Sequence, residues 1–349
     1  MTSVSIVIPC RNEKGHVRLL LDGILSQDFG GLTWEALIAD GMSRDGTREI
    51  VSEYMAREPR IRMVDNPGRI VSSGLNLAIL AATGEIVVRM DAHTVYAPDY
   101  VRKCVFWLKK TEADCVGGPW QARGSTYTSR AIAAAFQSPL SAGGARSHNP
   151  SFEGFVDTVY LGCWRRSTLQ ALGGFDEDLV RNQDDELSLR IHLRGGKLWQ
   201  TPDIVSWYCP RSSLRALLHQ YYQYGFWKVA VIRKHRRPAS WRHLVPGLFL
   251  MGLSGLLLAA IAGYTLGLTV IGWISLTVLA TTLSLYTLAL IGGAIFAGMR
   301  AGAALFPILL CIFPCFHFGY GLGFLHGMWY WRIRDGRPAP AKAATELTR

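Results

Sequence analysis

Charge is nearly absent near the end of the sequence, where Arg300 is the one formal charge between residues 244 and 331. Core helices of soluble proteins are seldom so apolar over such a length, and about 20 apolar residues are enough to cross a bilayer. Three apolar runs fill this stretch, at about residues 244–263, 268–291 and 303–325. The third contains Pro307 and Pro314, so we expect it either to span the bilayer or to form a kinked, re-entrant hairpin. We predict a transmembrane region of two or three helices over residues 244–331, followed by a polar tail over 332–349.

Paired cysteines and a secretory leader are also missing. None of the seven cysteines forms a Cys-x-x-Cys pair, so neither a zinc site nor a redox dithiol is expected. The chain runs directly into the β-branched segment Val4–Ile8, without the basic region and longer apolar core of a signal peptide. With 49% hydrophobic and 18% charged residues, the composition excludes a wholly disordered chain. We therefore expect reduced thiols in the core of a folded, unsecreted domain.

A basic stretch, residues 211–243, precedes the apolar region. It carries eight Lys or Arg residues and no acidic residue, with Tyr, Phe and Trp interleaved, in a chain whose formal net charge is +11. Binding of this stretch to anionic lipid, as an interfacial helix, explains its charge, its aromatic residues and the adjoining apolar segment better than binding to nucleic acid does. No nucleic-acid partner is expected. The positive-inside rule then places the preceding domain in the cytoplasm, as part of a multi-pass protein of the cytoplasmic (inner) membrane. The residues that we assign to the acceptor and membrane interface are Gln223, Tyr224, Trp227 and Lys228.

Strand and helix patterns alternate over the first 120 residues. The predicted strands span Val4–Ile8, Trp34–Asp40, Ile61–Val64 and Gly84–Met90. Strands separated by helices of about a dozen residues indicate an α/β fold with a parallel sheet and right-handed crossovers. Polar clusters follow three of these strands, at Pro9–Glu13, Asp40–Thr47 and Asp91–His93. Because ligands of such sheets bind at the carboxyl ends of the strands, the clusters indicate a binding cleft.

The side chains in these clusters suit a nucleotide and a metal ion. Asp91 and His93 lie on one short turn, and this pair suits Mg²⁺ or Mn²⁺ bridging a diphosphate, because phosphates and water complete the ligand set. Asp40, followed by two glycines, can receive the edge of a base or a ribose, and Thr47 can cap the next helix. Turn formation explains each cluster equally well when it is considered alone.

Taken in order, five motifs closely resemble glycosyltransferase family 2. They are Ile6–Glu13, Ala39–Thr47, Asp91–His93, Gly173–Glu177 and Gln183–Arg190. The resemblance extends over roughly residues 3–235. It implies a GT-A fold, with a Rossmann-like, mostly parallel sheet, over residues 1–210. It also implies inverting transfer from a nucleotide sugar with the help of divalent Mg²⁺ or Mn²⁺.

A narrower resemblance is to the ExoA-like branch of succinoglycan and exopolysaccharide glycosyltransferases. It rests on Asp91–Tyr96, Ser138–Gly144, Tyr224–Lys228 and the three apolar runs. This branch implies that one sugar, glucose, passes from a UDP-sugar to a polyprenyl-diphosphate-linked saccharide at the cytoplasmic membrane face during exopolysaccharide biosynthesis. Other polysaccharide assembly proteins are then candidate partners.

The resemblance also implies roles for individual residues. Inverting transfer needs a carboxylate that deprotonates the acceptor hydroxyl, and Asp184 matches the family's base, with Asp185 and Glu186 as alternates. Gln183 stands where the family has Glu. His93 takes the place of the family's second aspartate beside Asp91 and can still bind a metal as neutral imidazole. The nucleotide-sugar site would comprise Pro9, Asn12, Glu13, Asp40, Asp91 and Arg166, although a structural role explains Arg166 equally well.

Several alternatives remain open at this stage. One is a transferase that loads a sugar onto polyprenyl phosphate itself, and another is a catalytically silent, nucleotide-binding scaffold, which the substitution at Gln183 favours. A processive synthase is disfavoured because Phe226 replaces the arginine of the Gln-x-x-Arg-Trp box at Gln223–Trp227. A channel or transporter is disfavoured because Arg300 is the sole charge between residues 244 and 331. His317 and His326 either pack between helices or meet a lipid diphosphate.

Overall fold

A computed structural model describes residues 2–333, apart from the side chains of Ala142 and Ile333. The chain divides into two compact units. The first comprises residues 1–123 and 145–209, and the second comprises residues 124–144 and the chain from 210 onward. The predicted polar tail lies, from residue 334 onward, outside the described residues.

Strands and helices are numbered along the whole chain. The strands are β1 (Ser3–Cys10), β2 (Thr33–Asp40), β3 (Ile61–Asp65), β4 (Ile86–Arg89), β5 (Thr94–Tyr96), β6 (Cys115–Gly118), β7 (Gln121–Ala122), β8 (Gly154–Phe155), β9 (Tyr160–Arg165), β10 (Leu198–Gln200) and β11 (Ser206–Tyr208). The helices are α1 (Val17–Leu25), α2 (Thr47–Arg57), α3 (Val71–Ala81), α4 (Tyr100–Thr111), α5 (Tyr127–Phe136), α6 (Pro139–Ala142), α7 (Arg166–Leu172), α8 (Gln183–Leu193), α9 (Leu214–His235), α10 (Val245–Thr265), α11 (Thr269–Ala301) and α12 (Phe306–Ile333).

The first unit is an α/β sandwich around an eight-stranded mixed sheet in the order β3-β2-β1-β4-β9-β6-β10-β8. Alternate side chains of β1 enter two separate hydrophobic clusters, with Ile6 and Ile8 on one face and Val7 on the other. Helices α1, α2 and α4 contribute to the first cluster, and α3, α7 and α8 to the second. A sheet covered on both faces is typical of parallel α/β folds. The predicted alternation of strands and helices is confirmed.

Strand directions determine which residues share an edge of the sheet. Strands β1, β2 and β4 are parallel, with Cys10 opposite Asp40 and Val7 opposite Arg89, so the three polar clusters follow neighbouring strand ends. Strand β9 is inserted antiparallel between β4 and β6. Its first residue, Tyr160, pairs with Gly118 at the end of β6 and therefore lies at the same edge. A second, three-stranded sheet has the order β5-β11-β7.

Up to residue 333, the second unit contains three helices long and apolar enough to cross a membrane. They span Trp241–Thr265, Thr269–Ala301 and Ala303–Arg332. The third is a continuous helix with Pro314 inside it. At 1.5 Å per residue, the 33 residues of α11 extend about 50 Å, more than the roughly 30 Å of a bilayer's hydrocarbon core. The three apolar runs of the sequence are therefore helices in the structure.

Helices α9 and α12 pack with their backbones in contact. A Cβ atom on Gly225 would lie 2.0 Å from the carbonyl oxygen of Tyr320, and one on Gly323 would lie 1.9 Å from that of Tyr222. A Cβ atom on Gly319 or Gly327, one helical turn either side of Gly323, would lie 2.8 Å from a carbonyl oxygen of α9. Small residues at this spacing allow close helix approach in membranes, and here they seat a basic helix against an apolar one.

This packing corrects the prediction that the aromatic and polar side chains of α9 face lipid. Gln223, Trp227 and Lys228 are buried, and the Trp227 ring contacts Trp331 at 6.0 Å. Tyr224 is half-buried and accepts a hydrogen bond from Gln220. Because the glycines of α12 have no side chains, α9 can pack directly against the α12 backbone. The exposed cations of α9 and of the turn that follows it are Arg215, Arg233, Lys234, Arg236 and Arg237.

Residues 124–144 fold with the second unit although β7 and β8 flank them in sequence. The hydroxyl of Tyr127 donates to the carbonyl of Ala304, and Nε2 of His317 bonds the carbonyl of Leu140, both at 2.8 Å. Nδ1 of His317 meets the hydroxyl of Tyr286 at 2.9 Å. His317 therefore joins three helices by hydrogen bonds, which is the packing role that the sequence left open. The predicted first domain is continuous over residues 1–210, whereas the compact unit leaves this segment out.

Candidate active site

Asp40, at the end of β2, is fully buried, and its two carboxylate oxygens differ in their hydrogen bonding. Its Oδ2 accepts hydrogen bonds from the backbone N–H of Ser43 at 3.0 Å and from Nη1 of Arg48 at 2.6 Å. Its Oδ1 is buried and has no hydrogen-bond partner among residues 2–333. Buried acceptors are nearly always paired, so Oδ1 can accept a hydrogen bond from a water or a bound molecule. Asp40 therefore fits its predicted place in a ligand site.

The loop after β1 is fastened to the loop after β2. The backbone N–H of Asn12 donates to Ser43 Oγ at 2.8 Å, and Asn12 Oδ1 accepts from the N–H of Arg44 at 3.1 Å. The N–H of Glu13 donates to Thr47 Oγ1 at 2.9 Å, so Thr47 joins the loops, and Gly46 is the N-cap of α2 in its place. Asn12 has a positive φ of 54°, an uncommon conformation for a non-glycine residue. Pro9 is in β1 opposite Ala39 of β2.

Arg89, at the end of β4, holds Asp91 and is the residue that the sequence analysis missed. Its Nε and Nη2 donate to the two carboxylate oxygens of Asp91 at 2.9 and 3.0 Å. Burial alone would lower the pKa of Arg89, but the charges of Asp91 and Asp184 raise it above its ordinary value, so it stays a cation. An arginine inside an apolar strand was the available signal, because a buried cation needs a partner.

Asp184 lies in the first turn of α8 and keeps part of its surface exposed. Burial, followed by the charge of Asp185, raises the pKa of Asp184 above the ordinary aspartate value, and the charge of Arg89 opposes the shift. Of the alternates, Glu186 is fully buried and paired with Arg190 at 2.7 Å, so it is committed to holding the helix. A raised pKa in a cleft is a property of catalytic carboxylates, and it fits Asp184 as a proton acceptor.

Two motifs beside Asp184 have structural explanations. Arg190 donates to the carbonyls of Leu172 at 2.6 Å and Gly174 at 2.7 Å, so it supports the turn before α8. Gly174 has φ +71° and would place a Cβ 2.4 Å from Asn76 Oδ1. Gln183 is buried, and its Oε1 has no hydrogen-bond partner within the described part of the chain. The Gly-Gly-Phe-Asp-Glu motif is therefore a tight turn that positions α8.

His93 and Asp91 provide a donor set that fits one divalent ion. Nδ1 of His93 lies 3.8 Å from the carboxylate of Glu13, whose other oxygen lies 3.2 Å from His16. No group of three or more His, Cys, Asp or Glu side chains is placed to hold a metal within residues 2–333. An ion that bridges a diphosphate needs only one or two protein ligands. One carboxylate and one imidazole meet that need, although Asp91 also serves Arg89.

Arg166 does not join this site, contrary to the prediction. Its backbone N–H donates to the carbonyl of Glu85 and its Nη1 to that of Ala82, at 2.8 and 3.0 Å. These contacts lie at the amino end of β4, where Arg165 pairs with Ile86. The ligand clusters follow the opposite ends of the strands, so the antiparallel direction of β9 carries Arg166 away from them.

Comparisons with known proteins agree with this architecture. The sequence profile of Glycosyl transferase family 2 matches residues 5–164, and that of Glycosyl transferase family group 2 matches residues 86–299. The succinoglycan biosynthesis protein ExoA of Rhizobium meliloti is 34% identical over 247 residues, covering 70% of this chain and 74% of that protein.

Two further proteins extend the comparison. A Methanococcus voltae protein, named dolichyl N-acetyl-α-D-glucosaminyl phosphate 3-β-D-2,3-diacetamido-2,3-dideoxy-β-D-glucuronosyltransferase, is 29% identical over 243 residues, covering 67% of this chain and 75% of that one. The mannosyltransferase PcManGT from Pyrobaculum calidifontis, solved in complex with GDP-Man and Mn²⁺, matches with a TM-score of 0.56 at 22% identity, covering 94% of this chain and 87% of that one. The expected GT-A fold is confirmed.

Proposed function

The chain belongs to glycosyltransferase family 2, and on that basis we propose that it transfers one sugar, with inversion, from a UDP-sugar to a polyprenyl-diphosphate-linked saccharide. The observation that carries the proposal is the position of Arg89, whose charge acts on both Asp91 and Asp184. This electrostatic link supports placing the carboxylate expected beside the diphosphate and the carboxylate expected to act as base in one site. The relative named for succinoglycan biosynthesis supports a role in exopolysaccharide assembly. Glucose as the transferred sugar is part of the proposal.

The donor nucleotide would lie across the ends of β1 and β2. The open Oδ1 of Asp40 would accept a hydrogen bond from the base or the ribose, and the fastened loops at Asn12 and Glu13 would shape the pocket. Since these groups are held by hydrogen bonds before the ligand arrives, little reorganisation would oppose binding. Asp91 and His93 would hold Mg²⁺ or Mn²⁺, which neutralises charge on the leaving diphosphate when bound.

Asp184 would remove the proton from the attacking acceptor hydroxyl. As the acceptor oxygen bonds to the anomeric carbon, the bond from that carbon to the diphosphate oxygen breaks and the proton passes to Asp184. Attack from the face opposite the diphosphate inverts the anomeric configuration. The raised pKa of Asp184 favours this role, because it makes the carboxylate a stronger proton acceptor at neutral pH.

A lipid-linked acceptor fits the second unit. Its three apolar helices would place the chain in the cytoplasmic membrane, with the exposed cations around α9 toward anionic headgroups. The name of the Methanococcus relative specifies a dolichyl phosphate-linked sugar as acceptor, which supports a lipid-linked saccharide here. The catalytic unit would then face the cytoplasm, where nucleotide sugars are made.

Transfer assays on the full chain in detergent test this function. UDP- and GDP-sugars would be offered with Mg²⁺ or Mn²⁺ and with polyprenyl diphosphates carrying one sugar, bare polyprenyl phosphate, or no acceptor. We expect metal-dependent transfer from one UDP-sugar to the sugar-bearing lipid, with an inverted linkage by NMR of the product. Transfer to bare polyprenyl phosphate would replace the acceptor assignment, and donor binding without turnover on any acceptor would indicate a silent scaffold.

A further inference from the structure

Four rings form a continuous cluster, the aromatic wall, made of Trp120, His148, Tyr160 and Tyr208. Trp120 stacks on Tyr160 with centroids 5.2 Å apart and ring planes 7° apart. Tyr208 meets both rings edge-on at 5.7 and 6.2 Å, and His148 lies 5.2 Å from Trp120. Tyr208 also contacts His93 at 5.8 Å, so the wall begins beside the proposed diphosphate site.

The sheet places the wall on the side of β4 away from the proposed nucleotide pocket. Strands β1 and β2 lie on one side of β4, and β9 and β6 lie on the other. Tyr160 begins β9, and Trp120 follows β6. A diphosphate beside Asp91 would therefore have its nucleoside on the β1 side of β4, and the acceptor that attacks the donor sugar would approach from the side of β9 and β6, where the wall lies.

The wall is rigidly supported yet accessible. Trp120, His148 and Tyr160 are each half-buried, whereas Tyr208 is buried. The backbone N–H of Trp120 donates to the carbonyl of Ser147, in the loop that precedes β8, at 2.8 Å. The fully buried Gln200 donates to two more carbonyls of that loop, at 3.1 and 3.2 Å. Rings fixed before binding present a surface at little entropic cost.

Polar atoms at the wall would orient a bound sugar. The hydroxyl of Tyr160 meets Thr94 Oγ1 at 2.7 Å, and burial raises the pKa of Tyr160, so it remains a neutral hydroxyl. The charge of Arg89 acts on Tyr160 as well as on Asp184, which puts this end of the wall near the proposed base. Ligand sites combine such apolar surfaces with a few placed polar groups.

We propose that the aromatic wall is the subsite for the acceptor saccharide, stacking one pyranose face on Trp120 while a hydroxyl is presented to Asp184. The inference rests on the proposed function and adds the part of the acceptor that is recognised. The apolar C–H face of a sugar would cover Trp120, and Tyr160 and His148 would hydrogen-bond its hydroxyls. A bare lipid phosphate offers no ring to stack and would gain nothing from the wall.

The test separates acceptor binding from donor chemistry. Trp120→Ala and Trp120→Phe would be assayed with short-chain polyprenyl diphosphates carrying glucose, galactose or N-acetylglucosamine. Phe155→Ala is a matched control, because Phe155 is 49% exposed and contacts Trp199 edge-on at 4.9 Å, outside the wall. Donor KM and donor hydrolysis without acceptor are measured alongside and report that the site is folded.

We expect Trp120→Ala to raise the acceptor KM roughly 3- to 10-fold, the size of an aromatic stacking contact, with donor KM and donor hydrolysis unchanged. Trp120→Phe should raise the acceptor KM by less, and the Phe155→Ala control should have the acceptor KM of the wild type. An unchanged acceptor KM in both Trp120 variants would overturn the inference alone. A raised donor KM would overturn it by assigning the wall to the donor sugar. Failure of the wild type to transfer to any of these lipids would contradict both this inference and the proposed function.

Discussion

Arg89 and Asp91, two residues apart at the end of β4, share a two-pronged ion pair with hydrogen bonds of 2.9 and 3.0 Å. Both residues are at most 9% exposed, so neither charge is well solvated by water. The same guanidinium also acts on Asp184. One cation therefore influences the carboxylate proposed for the donor side and the carboxylate proposed as base.

Replacing Arg89 should damage both stability and activity. Arg89→Gln removes the cation that pairs with the buried Asp91 carboxylate, a loss of about 3–5 kcal/mol in the free energy of unfolding. Arg89→Lys keeps the charge but not the two-pronged geometry, so its free energy of unfolding should fall by less than that of Arg89→Gln. Thermal unfolding in detergent measures both variants. Arg18→Gln, which breaks the exposed pair with Glu53, should leave the unfolding midpoint unchanged.

The neighbouring carboxylates Asp184 and Asp185 provide a matched pair of variants. Asp184→Asn should lower kcat about 10²- to 10⁴-fold, since it removes the proposed base while nearly preserving shape. Asp185→Asn should retain most of the turnover. Initial rates at saturating donor and acceptor measure both. Equal rates for Asp184→Asn and wild type would contradict the assignment of the base.

Activity should fall on the acidic side at a higher pH than for an ordinary aspartate. Burial and the charge of Asp185 raise the pKa of Asp184, so the active, deprotonated form is lost as pH falls through that raised value. Removing the negative charge in Asp185→Asn should move the acidic limb of kcat/KM to lower pH. A limb that stays in place in this variant would show that another group controls it.

Metal dependence should respond to His93. Chelation by EDTA should abolish transfer, and added Mn²⁺ or Mg²⁺ should restore it. His93→Ala should need a higher metal concentration for half-maximal rate, about 10- to 100-fold if the imidazole is a ligand. His16→Ala is the control, because His16 lies near the same Glu13 carboxylate but outside the Asp91–His93 turn. Equal metal titrations of the two variants would remove His93 from the ligand set.

The contact between α9 and α12 predicts a selective effect of alanine at glycine. Gly323→Ala places a Cβ 1.9 Å from the carbonyl of Tyr222, so the helices must separate, at about 1–3 kcal/mol. Gly252→Ala in α10 meets nothing within 4 Å and should be tolerated. Thermal unfolding in a mild detergent compares them, and equal midpoints would show that the close contact contributes little to stability.

Local patterns in the sequence were sufficient to predict β1 to β4 and the clusters at Asp40 and Asp91. Alternating strands and helices, and polar residues at strand ends, depend on neighbours in sequence. The aromatic wall was missed because it needs β9 to enter the sheet antiparallel between β4 and β6, a pairing between distant segments. The same direction of β9 explains why Arg166 was misplaced.

The apolar region likewise was predicted in part. Lengths and hydropathy predicted two or three apolar helices, but the burial of α9 depends on a partner helix that follows much later in sequence. Here a signal was present, because Gly319, Gly323 and Gly327 repeat at the four-residue spacing of close helix contacts. Lys228, assigned to a lipid surface on its charge, is buried because that glycine face admits α9.

The segment 124–144 is synthesised long before the residues against which it packs. A ribosome completes α5 and α6 well before it makes Ala304 and His317, the residues to which Tyr127 and Leu140 bond. Until those residues are made, the nascent chain must carry these two helices without the neighbours that bury them. Synthesis interrupted before α12 would leave an orphaned apolar segment between two strands, a target for proteases and chaperones. Packing of residues 124–144 therefore has to follow the synthesis of α12.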